Sequence, residues 1–366
     1  MDLDALTLAQ LRRRKSVKWR LYPEDVLPLW VAELDVPLAP CVHEALAQAV
    51  ELGDTGYAEP EGLAEAFAGF ASRRWDWAVE PSRCFPVADV MTGVVEVLKV
   101  LTPPGSGVVI CPPVYHPFFV IPAEAGRAVA QVPLLDGGLD LPGIDRALAA
   151  GARAVLLCSP HNPTGRVWTR QELADLDEVV NRHDAVVLSD EIHAPLTLPG
   201  ATFTPYLEAG DRHAVALVSA SKAFNLAGLK SALLVAGSSD VRRQLAAIPV
   251  EARYRVGHLG ALAATAAYTG GDAWLDELLA HLVRQRALVQ QLLPATVTLT
   301  PSEASYLAWL HVGIDQPAAD LLTRGKVALV EGTDFGAQGE GYARLNFGTT
   351  TEVLTEALAR LREVWG

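Results

Sequence analysis

Three clusters of polar residues each close an apolar run: Cys158-Ser159-Pro160-His161-Asn162-Pro163-Thr164-Gly165, Ser189-Asp190-Glu191-Ile192-His193, and Ser219-Ala220-Ser221-Lys222. Lys222 is the residue with the most reactive potential. It is one of six lysines in a chain that otherwise uses arginine at its basic positions. Its neighbours are small and polar, and it follows an apolar run, where a low-dielectric wall can desolvate an amine. Desolvation lowers the amine's pKa and frees its lone pair for Schiff-base chemistry. Asp190 ends a run that reads as a buried strand, and an acid there needs a cation or good donors as partner. Asn162 sits in Asn-Pro-Thr-Gly, with an amide able to reach a ligand. Each has a plainer reading as well: a surface lysine, a helix cap or ion pair, a turn residue. Residue type alone leaves both open.

The elements that would carry these clusters are legible. The runs at 152–159, 184–190, 213–220 and 231–237 are near-continuous Val/Leu/Ala stretches, the pattern of strands covered on both faces. Between the first two lies a segment opening at Thr169 with Glu172 three places on, a capping box with helical spacing of leucines and valines behind it. Strand, helix and strand at this spacing make a βαβ unit, so the expected fold is α/β with a mostly parallel sheet. In open parallel sheets ligands bind beyond the carboxyl ends of the strands. The three clusters therefore read as three walls of one pocket. From about Gly270 a long amphipathic helix leads to shorter alternating strands, which reads as a smaller α+β domain. The expected division is residues 1–35 as a segment packing with the small domain, 36–270 as the large domain and 271–366 as the small one.

Composition narrows the function. Among 366 residues, 30 basic against 43 acidic side chains give a net charge of −13, which speaks against a general nucleic-acid surface. No stretch reaches the ~18 apolar residues of a membrane span. The first fifteen residues place acids before basics, the reverse of a secretory leader. Cys41, Cys84, Cys111 and Cys158 lie far apart with no C-x-x-C pair, so reduced thiols, a cytoplasmic setting and no metal site are expected.

The ordered set Asn162-Pro163-x-Gly165, Asp190, Ser219-x-Ser221-Lys222 and Arg344 resembles fold-type I pyridoxal-phosphate (PLP) enzymes of the class I/II aminotransferase family. Within it the chain looks most like the carbon–sulfur β-lyase branch, the cystathionine β-lyase group of the MalY/PatB type. The supporting words run along nearly the whole chain: LPLWVAELD (27–35), TGY (55–57), PPVYHPF (112–118), SPHNPTGRVW (159–168), SDEIH (189–193), SASKAFNLAGL (219–229), SYLAWL (305–310) and ARLNFG (343–348). The resemblance implies a large PLP-binding domain and a set of roles. Lys222 would hold PLP through its amine and act as general base, and Asp190 would keep the pyridine nitrogen protonated. Asn162 and His193 would partner the phenolic oxygen, and Tyr115 would stack on the ring. Thr92, Gly93 and Val94, taken to precede an apolar helix, would turn free N–H groups toward the phosphate. Gly93 would let the backbone come close. Ser219, Ser221 and Lys230 would add side-chain donors, with Lys230 at a position where relatives often carry arginine. Tyr57 would reach the phosphate of a neighbouring subunit, implying a homodimer with shared sites. Arg344 would bind the substrate α-carboxylate, with Asn162 beside it and Trp30 at the entrance. Glu33 and Asp35 receive no role.

The activity so implied is cleavage of L-cystathionine or another cysteine S-conjugate to pyruvate, ammonia and a thiol. A transaminase shares the same opening chemistry and is the alternative reading; a catalytically inactive PLP-fold binding or regulatory protein is a third. Retention of Lys222, Asp190 and Arg344 together argues against the last.

Overall fold

The computed structural model describes residues 2–210 and 213–366. In chain order its strands are β1 (Leu27–Pro28), β2 (Cys84–Val87), β3 (Gly107–Ile110), β4 (Ala128–Gln131), β5 (Ala152–Cys158), β6 (Val186–Asp190), β7 (Ala214–Val218), β8 (Ala232–Ala236), β9 (Thr298–Leu299), β10 (Leu307–His311), β11 (Val327–Ala328), β12 (Val330–Glu331) and β13 (Tyr342–Asn346). Seven of them form one sheet in the order β2-β8-β7-β6-β5-β3-β4. Only β8 runs antiparallel to its neighbours β2 and β7. The expectation of a mostly parallel α/β sheet is met.

Burial explains the composition of the central strands. Every residue of β6, β7 and β8 is buried, because helices cover both sheet faces and neither face meets water. The capping box forms as the sequence indicates: Thr169 accepts the Glu172 N–H and opens the helix Arg170–Arg182, which links β5 to β6. Register then does the rest. Cys158 pairs with Asp190, and Asp190 with Leu217, so β5, β6 and β7 end level and their polar clusters emerge at one sheet edge.

The N-terminal segment and the last part of the chain form a second layer. Strands β12, β13, β10 and β9 make an antiparallel sheet in that order, and β1 pairs in parallel with β11. The long helix Asp272–Leu292 lies beside them and packs against the C-terminal helix Thr351–Trp365. One apolar cluster joins Leu27 and Leu29 of the N-terminal segment to Leu275, Leu307 and Leu345, and continues to Phe224 just beyond β7. This continuity brings residues 30–36 and Arg344 of β13 over the sheet edge.

Candidate active site

A cavity of about 340 Å³ opens where the three strand ends meet the N-terminal segment. Its walls bring together Tyr115, Asn162, Asp190, His193, Ser219, Ser221, Lys222, Lys230 and Arg344, as the sequence suggests.

The turn after β7 sets Lys222. The Ser219 hydroxyl accepts the Ser221 N–H at 3.1 Å and donates to the Ser231 carbonyl at 2.7 Å, so it braces the loop. Lys222 Nζ donates to the Ala32 carbonyl at 3.1 Å. Burial lowers its amine to about 8; the Arg344 charge adds to that, while Glu33 and Asp190 oppose it. At neutral pH about a tenth of the amine is thus neutral, far more than for an ordinary lysine. Asp190 is 3% exposed at the end of β6 and accepts the Ile192 N–H at 3.1 Å. Burial pushes its carboxyl up to about 7, against the attraction of Lys222. An acid aimed into a cavity with its charge so poorly compensated is suited to a cationic guest.

Arg344 lies mid-strand in β13 and is 5% exposed. One of its Nη atoms donates to Asn162 Oδ1 at 3.1 Å and the other to the Trp30 carbonyl at 2.9 Å, with the Phe335 ring 4.9 Å from the guanidinium carbon. Its Nε is buried without a partner. Burial lowers its pKa to about 10, which still leaves it charged at neutral pH. Such a planar, half-satisfied fork is built for a carboxylate. His193 is held by a 3.1 Å contact between Nδ1 and the Ser305 hydroxyl, and burial keeps the ring neutral with a pKa of about 3. Burial likewise raises Tyr115 to about 12, so its hydroxyl keeps its proton.

Several expectations need correction. The helix at the phosphate end is Val90–Leu101, capped by Asp89, and so begins earlier than supposed. Thr92 N–H is spent on Asp89 Oδ1 at 2.8 Å and Gly93 N–H on the Asp89 carbonyl at 2.9 Å. Thr92, Gly93 and Val94 are not on the cavity wall; Val90 and Met91, of the first turn, are. Gly93 is glycine for another reason. A Cβ there would stand 2.7 Å from Leu234 Cδ2 and 3.2 Å from Leu217 Cδ2, so it lets the helix lie on the sheet. Lys230 reaches this end, but its Nζ pairs with Asp89 Oδ2 at 3.0 Å. Trp30 contributes its carbonyl; its ring packs edge-on against Tyr22 instead, with centroids 6.0 Å apart, and Val31 and Ala32 line the cavity. Tyr57 is 87% exposed, beside Tyr254 and away from its own chain's cavity.

Sequence reasoning also missed residues. Ser231 lines the cavity with a buried hydroxyl that has no partner. Cys158 and Ile192 complete the wall. Asp35 is occupied elsewhere: Lys18 Nζ is 2.6 Å and Trp19 Nε1 2.9 Å from its carboxylate, both donors buried. The free Ser231 hydroxyl, the uncompensated Asp190 carboxyl and the helix start at Val90 and Met91 suit a ligand with a phosphate at one end and a basic ring nitrogen at the other. The residues present therefore fit PLP.

Residues 24–361 match the family model described as aminotransferase class I and II. A Mycobacterium leprae relative is 46% identical, covering 98% of this chain and 97% of its own. The cystathionine β-lyase of Corynebacterium glutamicum is 35% identical, covering 98% of each. The crystal structure of cystalysin from Treponema denticola, which contains PLP, superposes with a TM-score of 0.92 at 26% identity, covering 100% of this chain and 99% of that one.

Proposed function

The chain belongs to the aminotransferase class I and II family, and from that premise we propose that it is a PLP-dependent carbon–sulfur β-lyase acting on L-cystathionine and other cysteine S-conjugates. Bound PLP supplies an electron sink for the substrate's α-carbon. Lys222, Asp190, Asn162, His193, Tyr115, Ser221, Ser231 and the first turn of Val90–Leu101 would hold it. Asp190 keeps a proton on the ring nitrogen. Arg344 and Asn162 grip the α-carboxylate and orient the Cα–H bond, and Lys222 takes that proton. The β-thiolate then departs. With one water consumed, L-cystathionine becomes pyruvate, ammonia and homocysteine.

One observation favours a thioether over a dicarboxylate amino donor. Among the described residues Arg344 is the sole arginine on the cavity wall, and Lys230 is already paired with Asp89. Among the described residues of one subunit's wall, no unpaired arginine or lysine besides Arg344 and the reactive Lys222 faces an ω-carboxylate, whereas the far end of cystathionine is a neutral zwitterion. The deciding assay is pyruvate release from L-cystathionine without any keto acid. Amino exchange with a keto acid and no pyruvate would make the enzyme a transaminase instead.

Arg344→Lys tests the carboxylate grip. A point charge cannot reproduce two parallel hydrogen bonds, so kcat/KM should fall by roughly 10²-fold with a raised KM. Kinetics equal to wild type would remove Arg344 from this role.

A homodimer with shared sites belongs to the same proposal. The exposed Tyr57, with exposed Val50 and Leu52 nearby in sequence, supports it. Tyr57→Phe should weaken PLP retention. Mixing Tyr57→Phe subunits with Lys222→Ala subunits should restore activity above either parent, because both defects then fall in one site and the other is intact. No recovery in demonstrably mixed dimers would mean self-contained subunits. Four free cysteines support a cytoplasmic setting; among the described residues no helix is long and apolar enough to cross a membrane.

A further inference from the structure

Nearly all the hydrogen bonds that hold residues 30–34 run through their peptide groups, to side chains from several elements. The Trp30 carbonyl accepts Arg344 Nη at 2.9 Å. The Ala32 carbonyl accepts Lys222 Nζ at 3.1 Å and the Tyr306 hydroxyl at 3.0 Å. The carbonyls on either side of Ala32 go elsewhere: Asn346 Nδ2 donates to Val31 at 2.7 Å and to Glu33 at 2.8 Å. Glu33 N–H closes a three-residue turn on the Val31 carbonyl at 2.8 Å, which fixes the Ala32 peptide between the two Asn346 contacts. Asn225 then pins the next peptide from both ends, accepting Leu34 N–H at 2.9 Å and donating to the Leu34 carbonyl at 3.0 Å. Buried Lys18 adds a bond to the Glu33 carbonyl at 3.0 Å.

Two carbonyls two residues apart thus carry the group that anchors the substrate carboxylate and the group that takes the α-proton. We propose that residues 30–33 are a backbone ruler setting the spacing between Arg344 and Lys222, and that Asn346 and Asn225 are positioning residues that hold the ruler in place. Neither asparagine lines the cavity. Asn346 follows Arg344 by two residues on β13, and Asn225 follows Lys222 by three, so each element carrying a working group also clamps the segment measuring between them. The inference rests on the PLP chemistry proposed above, in which Lys222 abstracts a proton from a substrate held by Arg344.

The test uses L-alanine, which has no β-leaving group, and follows exchange of its α-hydrogen for deuterium in D2O by NMR. This step is common to lyase and transaminase, so a wild-type enzyme that exchanges the α-hydrogen yet releases no pyruvate from cystathionine overturns the lyase reading and leaves the ruler testable. Asn346→Ser removes the donor to Val31 and Glu33. Asn225→Gly removes its two bonds to Leu34 and leaves Arg14 Nη1 on that carbonyl at 2.9 Å, and since Asn225 has φ +59°, glycine keeps that backbone without strain. It loosens the ruler only through the adjoining Leu34 and carries the test if Asn346→Ser does not fold.

In the cofactor-free chain, each variant should speed amide hydrogen exchange in the peptide covering 29–36. In the holoenzyme each should retain cofactor absorbance while kcat for α-hydrogen exchange falls by roughly 10²-fold, the loss expected of an ångström-scale misplacement. KM should change by no more than about 3-fold, because Arg344 keeps its bond to Asn162. If the segment loosens but kcat stays within about 3-fold of wild type, or the loss falls wholly on KM, the ruler is wrong.

Discussion

Lys222→Ala should lower pyruvate release from L-cystathionine by roughly 10⁴-fold or more, since one substitution removes both the cofactor's covalent attachment and the general base. The loss should not come from misfolding. Lys222 makes one hydrogen bond, to the Ala32 carbonyl, and Tyr306 still holds that carbonyl when the lysine is gone. The cofactor-free variant should therefore melt near the temperature of the cofactor-free wild type. Borohydride reduction of the wild-type enzyme, followed by peptide mapping, should place the pyridoxyl group on Lys222. Lys230 is the internal control. It lines the same cavity but is tied to Asp89 at 3.0 Å and lies toward the phosphate end. A label on Lys230, or an active Lys222→Ala enzyme, would end the assignment of the reactive amine.

What the sequence showed and what it hid follow from how far each interaction reaches along the chain. β5, β6 and β7 were legible because burial on both faces leaves a continuous apolar run. Their register made the polar clusters coincide, with Cys158, Asp190 and Leu217 level across the sheet. The helix start at Val90 was misplaced although its cap, Asp89, stands just before the apolar residues. Gly93 looked like a site of close backbone approach to phosphate, whereas its constraint comes from Leu217 and Leu234, more than a hundred residues away. Trp30 is expected at the entrance, but the molecule uses its carbonyl, a group every residue possesses and no residue type advertises. Asp35 had no assignable role because its partner Lys18 lies 17 residues earlier, and their approach is a tertiary fact. Side-chain chemistry at strand ends was readable; peptide groups recruited by distant side chains were not.

Asp190→Asn should cost roughly 10³-fold in kcat while PLP remains bound, because the neutral amide no longer keeps a proton on the ring nitrogen and the α-carbanion loses most of its electron sink. The other groups holding the cofactor are untouched, so retention of its absorbance after dialysis checks the binding half of this claim. The same substitution has a second consequence in the cofactor-free chain. Burial raises the folded-state carboxyl from 3.8 to about 7. Below 3.8 it is protonated in both folded and unfolded chains and makes no difference. Between the two values the folded chain keeps a proton that the unfolded chain has lost, so stability declines as pH rises and levels off above about 7. Asparagine removes that decline. Cofactor-free Asp190→Asn should match wild type near pH 4 and exceed it at pH 8 by up to about 4 kcal/mol, a ceiling in which the attraction of Lys222 is already included. Chemical denaturation at the two pH values measures the difference. Added PLP should narrow it, since a cation set beside Asp190 lowers its pKa again and stabilises only the wild-type carboxylate. Parallel stability curves for the two proteins, or a kcat within a few-fold of wild type, would mean that Asp190 neither carries an uncompensated buried charge nor supports the ring nitrogen.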